Sequence, residues 1–257
     1  MACAIARFSF RTVSSKGMET IRTRSANLTK ANFLDSVLRL APRVAAFDCD
    51  GTLWSGDAGV TFFDWEIEQG VVTAEVAAGM RARYEEYRAG QVSEEDMCGE
   101  MVTMHNGLPE AVMIKAATDF MTNSFPGHIF PEMLELVQRL DADGCDIWAV
   151  SSSNEWVIRA GMEQFGISAD RILATKVEVA NGVITDRLIR VPSGPGKTKA
   201  LREVAGKDID AAFGNSRWDL DMLAFSKHAF AVNPNPDLDA AAREHGWNVY
   251  FPEEVSA

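Results

Sequence analysis

Residues 44–53 read Val44-Ala45-Ala46-Phe47-Asp48-Cys49-Asp50-Gly51-Thr52-Leu53. The run from Val44 to Phe47 has the unbroken apolar character of a strand buried on both faces. It gives way to Asp48-Cys49-Asp50-Gly51-Thr52, where polar residues and a glycine open the chain into a loop. Two carboxylates at i and i+2 on an extended backbone point the same way, so Asp48 and Asp50 can face one ligand. Anions that close repel each other, and a hard cation such as Mg²⁺ is one means of stabilising them. Gly51 lets the backbone bend and approach a ligand. A plain strand followed by an acidic turn fits the same ten residues. An EF-hand does not fit, because no third oxygen ligand follows at Thr52 and no glutamate closes a calcium loop.

The chain of 257 residues is long enough for one large domain or a domain with an insertion. Apolar residues make up 47% and charged residues 24%, the balance of a globular enzyme. No apolar run approaches the length of a membrane span, so no membrane partner is expected. A net charge of −12 argues against nucleic acid. That charge is uneven. Arg7, Arg11, Lys16, Arg22, Arg24 and Lys30 stand against Glu19 alone in residues 1–34, a net of +5, which leaves −17 on the other 223 residues. This basic, acid-poor start has the composition of an organellar transit peptide. A start assigned too far upstream, with Met18 as the alternative, or a disordered extension also fits. Residues 1–34 are therefore read as an extension outside the fold. The expected location is cytoplasmic, or organellar if the start is a transit peptide. Cys3, Cys49, Cys98 and Cys145 show no CxxC spacing, which gives neither a disulfide framework nor a zinc site. His105, His128, His228 and His245 are scattered, without the spacing of a histidine metal site.

Beyond the opening strand, residues 58–122 read as four helices with no strand. Val60, Phe63, Ile67 and Val71 share one face, and a charged amphipathic stretch follows from Glu75 to Tyr87. Ser93-Glu94-Glu95-Asp96 resembles a capping box, and Leu108-Pro109-Glu110 opens the fourth helix. From Pro131 onward strands and helices alternate, which predicts an α/β fold with a doubly wound parallel sheet. The predicted strands are 145–150, 171–174, 211–213, 229–232 and 248–250, and Asn181-Gly182 marks a hairpin between 177–179 and 183–185. Such sheets bind ligands at the carboxyl ends of their strands. Three strands here end in polar loops: Asp48-Cys49-Asp50, Ser151-Ser152-Ser153-Asn154 and Gly214-Asn215-Ser216-Arg217-Trp218-Asp219. The topology can bring all three to one crevice.

With these motifs in order, the chain resembles the haloacid-dehalogenase-like hydrolase superfamily, mainly its phosphoserine-phosphatase-like branch, over about residues 43–233. Phe47 to Leu53 looks like the first motif of that family, and Ala149-Val150-Ser151 looks like the second. Gly196-Lys197 at a helix start looks like the third, and residues 214–223 are similar to the acidic fourth. The resemblance implies a Rossmann-like core formed by 43–53 and 129–257, with a helical cap inserted at 54–128. It further implies a phosphatase acting on a small phosphorylated metabolite. Asp48 would attack phosphorus and form an aspartyl-phosphate. Asp50 would serve as general acid and base. Mg²⁺ would be held by Asp48, the carbonyl of Asp50, Asn215 and Asp219. Cys49, Gly51 and Thr52, through the backbone of the loop, and Ser151, Ser152 and Lys197 would hold the phosphoryl oxygens.

Gly194-Pro195-Gly196-Lys197-Thr198 is not a nucleotide P-loop, because the required first glycine is Val191. Asp221 fits a helix surface better than a metal site. A phosphotransferase or phosphomutase shares the fold, and a non-catalytic ligand-binding relative draws support from Asn215, which stands where the branch carries an aspartate. Two further departures concern substrate. The branch meets its substrate ammonium with a glutamate nine residues after the nucleophile, and Asp57 occupies that slot. It pairs the substrate carboxylate with a cap arginine, and that slot falls near Met101, with no arginine between Ser93 and Lys115. Phosphoserine is therefore expected to be a poor substrate. Trp54, Phe62, Phe63 and Trp65 beside Asp57, Asp64 and Glu66 suit an ammonium or choline-like leaving group instead.

Overall fold

The computed structural model describes residues 28–206 and 208–253, and residues 1–27 of the basic start, Met18 and Cys3 among them, lie outside the described residues. Strand β1 (Val44–Phe47) is central. It pairs in parallel with β2 (Asp146–Asn154) on one side and β5 (Ala211–Gly214) on the other. The sheet order is β4-β3-β2-β1-β5-β6-β7, with β3 (Ile172–Ala180), β4 (Val183–Arg190), β6 (His228–Val232) and β7 (Asn248–Tyr250). All pairings are parallel except the β3–β4 hairpin. Its turn uses Asn181 (φ 52°) and Gly182 (φ 78°), the pair of positive angles that a two-residue hairpin turn demands.

Side chains alternate across β1. Ala45 and Phe47 enter one apolar cluster, and Ala46 enters another. The first cluster is covered by α1 (Lys30–Leu38), α6 (Pro131–Ala142) and α7 (Glu155–Met162). The second is covered by α8 (Pro195–Ala205), α9 (Leu220–Phe225) and α10 (Pro236–His245). Helices on both faces of a mostly parallel sheet make the fold α/β and doubly wound. The chain builds outward from β1 through β2 and β3, then crosses to β5 on the other side of β1. This reversal opens a crevice at the carboxyl end of β1.

The helical insertion consists of α2 (Ala58–Glu68), α3 (Ala74–Arg88), α4 (Glu94–Thr103) and α5 (Glu110–Asn123). Asp57, Thr73 and Ser93 cap the first three by accepting from the backbone N–H groups of Val60, Val76 and Asp96. The chain leaves and returns along paired backbone, with Ser55 N–H donating to His128 O (2.9 Å) and Phe130 N–H to Leu53 O (3.1 Å). Phe62, Met113, Ala117 and Phe120 of the insertion join the same cluster as Phe47 and Leu136. Insertion and sheet therefore share a core. Among the described residues no helix is long and apolar enough to cross a membrane.

Three expectations need correction. Residues 30–34, read as part of an extension outside the fold, belong to α1. Phe33 is fully buried and stacks on Tyr250 at 4.1 Å, with the edges of Phe213 and Phe230 nearby. The basic composition of residues 1–34 masked the apolar face of Phe33, Leu34 and Val37 that this nine-residue helix presents to the core. We expect Phe33→Ala to destabilise the fold by about 3 kcal/mol in urea unfolding, whereas a chain end outside the fold would leave stability unchanged. Secondly, β3 is one nine-residue strand where two short ones were expected, its ladder to β4 broken by register shifts around Val177. Thirdly, β2 continues through the polar residues 151–154, expected as loop, because Asn154 still pairs with Thr175 beyond an irregular register.

Candidate active site

Asp48 sits one residue past the end of β1. Its N–H donates to Phe213 O (2.9 Å), so the β1–β5 ladder fixes its backbone. The Thr52 hydroxyl donates to Asp48 Oδ2 (2.7 Å), and Lys197 Nζ donates to Asp48 Oδ1 (2.6 Å). The same ammonium donates to Asp219 Oδ1 (2.6 Å). Lys197 comes from the first turn of α8, where Pro195 starts the helix, and it is 2% exposed. Asp219 Oδ2 accepts from the N–H groups of Asn215 (3.0 Å) and Ser216 (2.9 Å), which locks the loop after β5. Gly214 makes that closure possible, since a Cβ there would lie 2.5 Å from Asp219 Cβ. Gly51, with φ 76°, packs so tightly under Asn215 that a Cβ would fall 1.8 Å from its side-chain nitrogen. No other residue fits there.

Asp50 faces a different set of partners. Its Oδ1 accepts from Trp54 Nε1 (2.8 Å) and Ala58 N (2.6 Å), and its Oδ2 accepts from Ser153 Oγ (2.7 Å). Ser151 Oγ lies 3.5 Å from the same Oδ2 and accepts from Ser153 N (3.1 Å). The start of α2 thus abuts the loop after β1. Gly59 permits the approach, because a Cβ there would lie 2.2 Å from Ser153 Oγ.

Two buried carboxylates, Asp48 and Asp219, meet one buried cation, Lys197. Burial pushes the Asp48 carboxyl up to about 7, with the Asp219 carboxylate pressing the same way and Lys197 against it. For Lys197, burial favours the neutral amine, but Asp219 and Asp48 outweigh it and hold the ammonium protonated. Burial, then the Asp57 charge, raises Asp50 to about 6. The donors available to a metal are the carboxylates of Asp48 and Asp219, the amide of Asn215 and the main-chain carbonyl of Asp50. Among the described residues no three His, Cys, Asp or Glu side chains form a metal cage. An all-oxygen set with surplus negative charge nevertheless fits a hard divalent cation that keeps some of its water.

A cavity of about 260 Å³ opens over these groups, between the strand ends and the insertion. Asp48, Asp50, Ser152, Ser153, Lys197 and Asn215 line its core side, and Asp57, Phe63, Tyr84, Tyr87, Glu94 and Met101 line its insertion side. Among the described residues, Lys197 is its one lining cation.

The structure brings Asp48, Asp50, Ser152, Lys197, Asn215 and Asp219 together as the sequence suggests, and it reassigns others. Thr52, expected at the phosphate, has its N–H on Cys49 O and its hydroxyl on Asp48. The Cys49 side chain is fully buried in the apolar cluster, which leaves only its backbone for the expected contact with phosphate. Trp54 and Trp65, expected against the substrate, do not line the cavity. Trp54 is fully buried, its ring by Phe165 and its N–H on Asp50. Trp65 packs on Phe62 and Phe120. Asp57 does line the cavity while capping α2. Ser153 and Trp218 lie in the expected polar loops without being singled out there, and Tyr84 and Tyr87 lie on a charged helix; neither setting signals which side chains turn inward.

A family model described as haloacid dehalogenase-like hydrolase matches residues 45–224. The chain is 27% identical over 217 residues to a histidinol-phosphatase of Neisseria meningitidis serogroup C, covering 80% of this chain and 97% of that one. It is 26% identical over 203 residues to a phosphoserine phosphatase of Halobacterium salinarum, covering 77% and 89%. A solved protein of unknown function from Bordetella pertussis Tohama I superposes with a TM-score of 0.72 at 23% identity, covering 81% and 97%. A phospho-aspartyl intermediate analogue of phosphoserine phosphatase gives 0.53 at 17% identity, covering 82% and 94%. At these identities the likeness to both solved structures is one of fold.

Proposed function

The chain belongs to the haloacid dehalogenase-like hydrolase family, and on that premise we propose that it is a Mg²⁺-dependent phosphomonoesterase. The observation that carries this reading is Asp48, held at the strand end by Thr52 and Lys197 and opening on the cavity. Asp48 attacks phosphorus, forming the Asp48–phosphorus bond as the bond to the leaving oxygen breaks. Asp50 gives its proton to that oxygen. A carboxyl held near 6 supports this role, being protonated in a useful fraction close to neutral pH. Water then attacks phosphorus, Asp50 takes its proton, and Asp48 is released with inorganic phosphate. Lys197 stays charged throughout and, with Ser151 and Ser152, steadies the phosphoryl oxygens. Mg²⁺ bound by Asp48, the Asp50 carbonyl, Asn215 and Asp219 would supply charge neutralisation between nucleophile and phosphate.

Asn215 gives the metal a testable signature. Asn215→Asp adds a charged oxygen donor and is expected to lower the Mg²⁺ concentration for half-maximal activity, whereas Asp219→Ala raises it. A higher requirement in Asn215→Asp would remove residue 215 from the metal.

The leaving group we propose is a cationic alcohol. Phe63, Tyr84, Tyr87 and Trp218 present aromatic rings to a cavity whose insertion side carries Asp57, Glu66 and Glu94. Met101 lines it where a carboxylate-binding arginine is missing, and Lys197 is already engaged by two carboxylates. A substrate carboxylate would thus be desolvated without a partner. The test compares kcat/KM for phosphoethanolamine, phosphocholine, an uncharged alkyl phosphate and phosphoserine, with Mg²⁺ present. Phosphoserine is expected to be the poorest. A preference for it of about tenfold or more, worth about 1.4 kcal/mol, would overturn the cationic reading.

A further inference from the structure

One charged pair on the cavity wall has no part in the chemistry at Asp48. Glu66 lines the cavity from the last turn of α2 and is 1% exposed. Its Oε2 lies 2.8 Å from Nε2 of His105, which is fully buried just past the end of α4. Nδ1 of His105 faces the Val102 carbonyl at 3.2 Å, so that nitrogen carries a proton. The ring stands edge-on to Trp156, which fixes it on a second side. The contact between Nε2 and Oε2 then requires one further proton shared between them, and the pair is electrically balanced. The other oxygen of Glu66 has no hydrogen-bond partner among the described residues. Glu66 itself is part of the cavity lining.

Burying a carboxylate with an unused acceptor is costly, and an apolar pair of similar size would hold α2 to α4 at least as well. The position of Glu66 suggests its use. Gly59, Phe63 and Glu66 follow one another at helical spacing along the stripe of α2 that faces the cavity. The stripe begins where Ala58 N–H donates to Asp50. Eight residues on, Glu66 lies about 12 Å farther along the helix axis. Phe63 and Tyr84, with ring centroids 5.7 Å apart, flank the route between them. Asp57 and Glu94 supply the net negative charge.

We propose that Glu66, oriented by His105, accepts an N–H donor at the far end of an elongated leaving alcohol. The preferred substrates are then monophosphate esters of amino alcohols whose amine stands well away from the phosphate. This rests on the phosphomonoesterase reading above, and the test separates the two. Binding of uncleavable ω-aminoalkyl phosphonates, from aminoethyl to aminohexyl, is measured by titration calorimetry with Mg²⁺ against plain alkyl phosphonates of equal length. Hydrolysis of the matching phosphate esters is followed in parallel.

In the wild-type protein the amine-over-alkyl affinity ratio is expected to grow with chain length to about tenfold or more, the scale of one hydrogen bond to a charged group. In Glu66→Gln, with folding checked by thermal unfolding, the long-chain ratio is expected to collapse. A wild-type ratio near one at every length overturns the inference without recourse to any variant. So does a ratio that survives Glu66→Gln. The predicted binding profile without hydrolysis of any ester sinks the phosphatase reading and leaves the role of Glu66 standing.

Discussion

Asparagine in place of Asp48 is expected to bring phosphomonoester hydrolysis below detection while the protein stays folded. The amide keeps the shape of the carboxyl and can still accept from Thr52 or Lys197, so the packing around it survives. The nucleophilic oxygen does not survive, and without it the two-step displacement has no first step. Asp50→Asn is expected to lower kcat by at least about 10²-fold, the usual worth of a positioned acid and base. Its amide can no longer accept from both Trp54 and Ala58 on one side and Ser153 on the other without reorienting. Steady-state hydrolysis of an alkyl phosphate with Mg²⁺ measures both. Wild-type turnover by Asp48→Asn would remove Asp48 from the chemistry.

Lys197→Met is expected to abolish activity and to cost about 3–5 kcal/mol of stability, the penalty for stranding buried charge. Methionine nearly fills the volume, so lost packing contributes little. What is lost is the ammonium that bridges Asp48 and Asp219, each at 2.6 Å. Mg²⁺ is expected to restore part of the stability, because a cation that binds only the folded state shifts unfolding by mass action. Urea unfolding of both proteins, with and without Mg²⁺, provides the reading. An unchanged midpoint would mean that the lysine does not balance the carboxylates.

How far the sequence alone could go follows from the kind of signal each residue leaves. Asp48 and Asp50 are legible because they follow an apolar run at a predicted strand end, whereas Lys197 and Asp219 are legible through the resemblance of their stretches to the third and fourth family motifs. The sheet was readable because its strands are short apolar runs set between amphipathic helices. The serine run left a different problem. Which of Ser151, Ser152 and Ser153 donates to Asp50 depends on the irregular register of β2 against β3 beyond Val150. Such irregularity follows from tertiary pairing and has no local signature. Trp54 looked like a substrate contact, yet it anchors Asp50 from a buried position, because composition does not say which way a ring points. Glu66 lies in α2 and His105, 39 residues on, in the turn after α4, and only the packed insertion brings them together.

The central claim is that a phosphoryl group passes through Asp48. Acid quench of the enzyme during turnover of an alkyl phosphate with Mg²⁺, followed by peptide mass spectrometry, tests it directly. One phosphoryl group on the peptide containing Asp48, absent from Asp48→Asn, is the expected result. Inorganic phosphate released at full rate, with the phosphoryl group on another residue or with Asp48→Asn turning over like wild type, would contradict it.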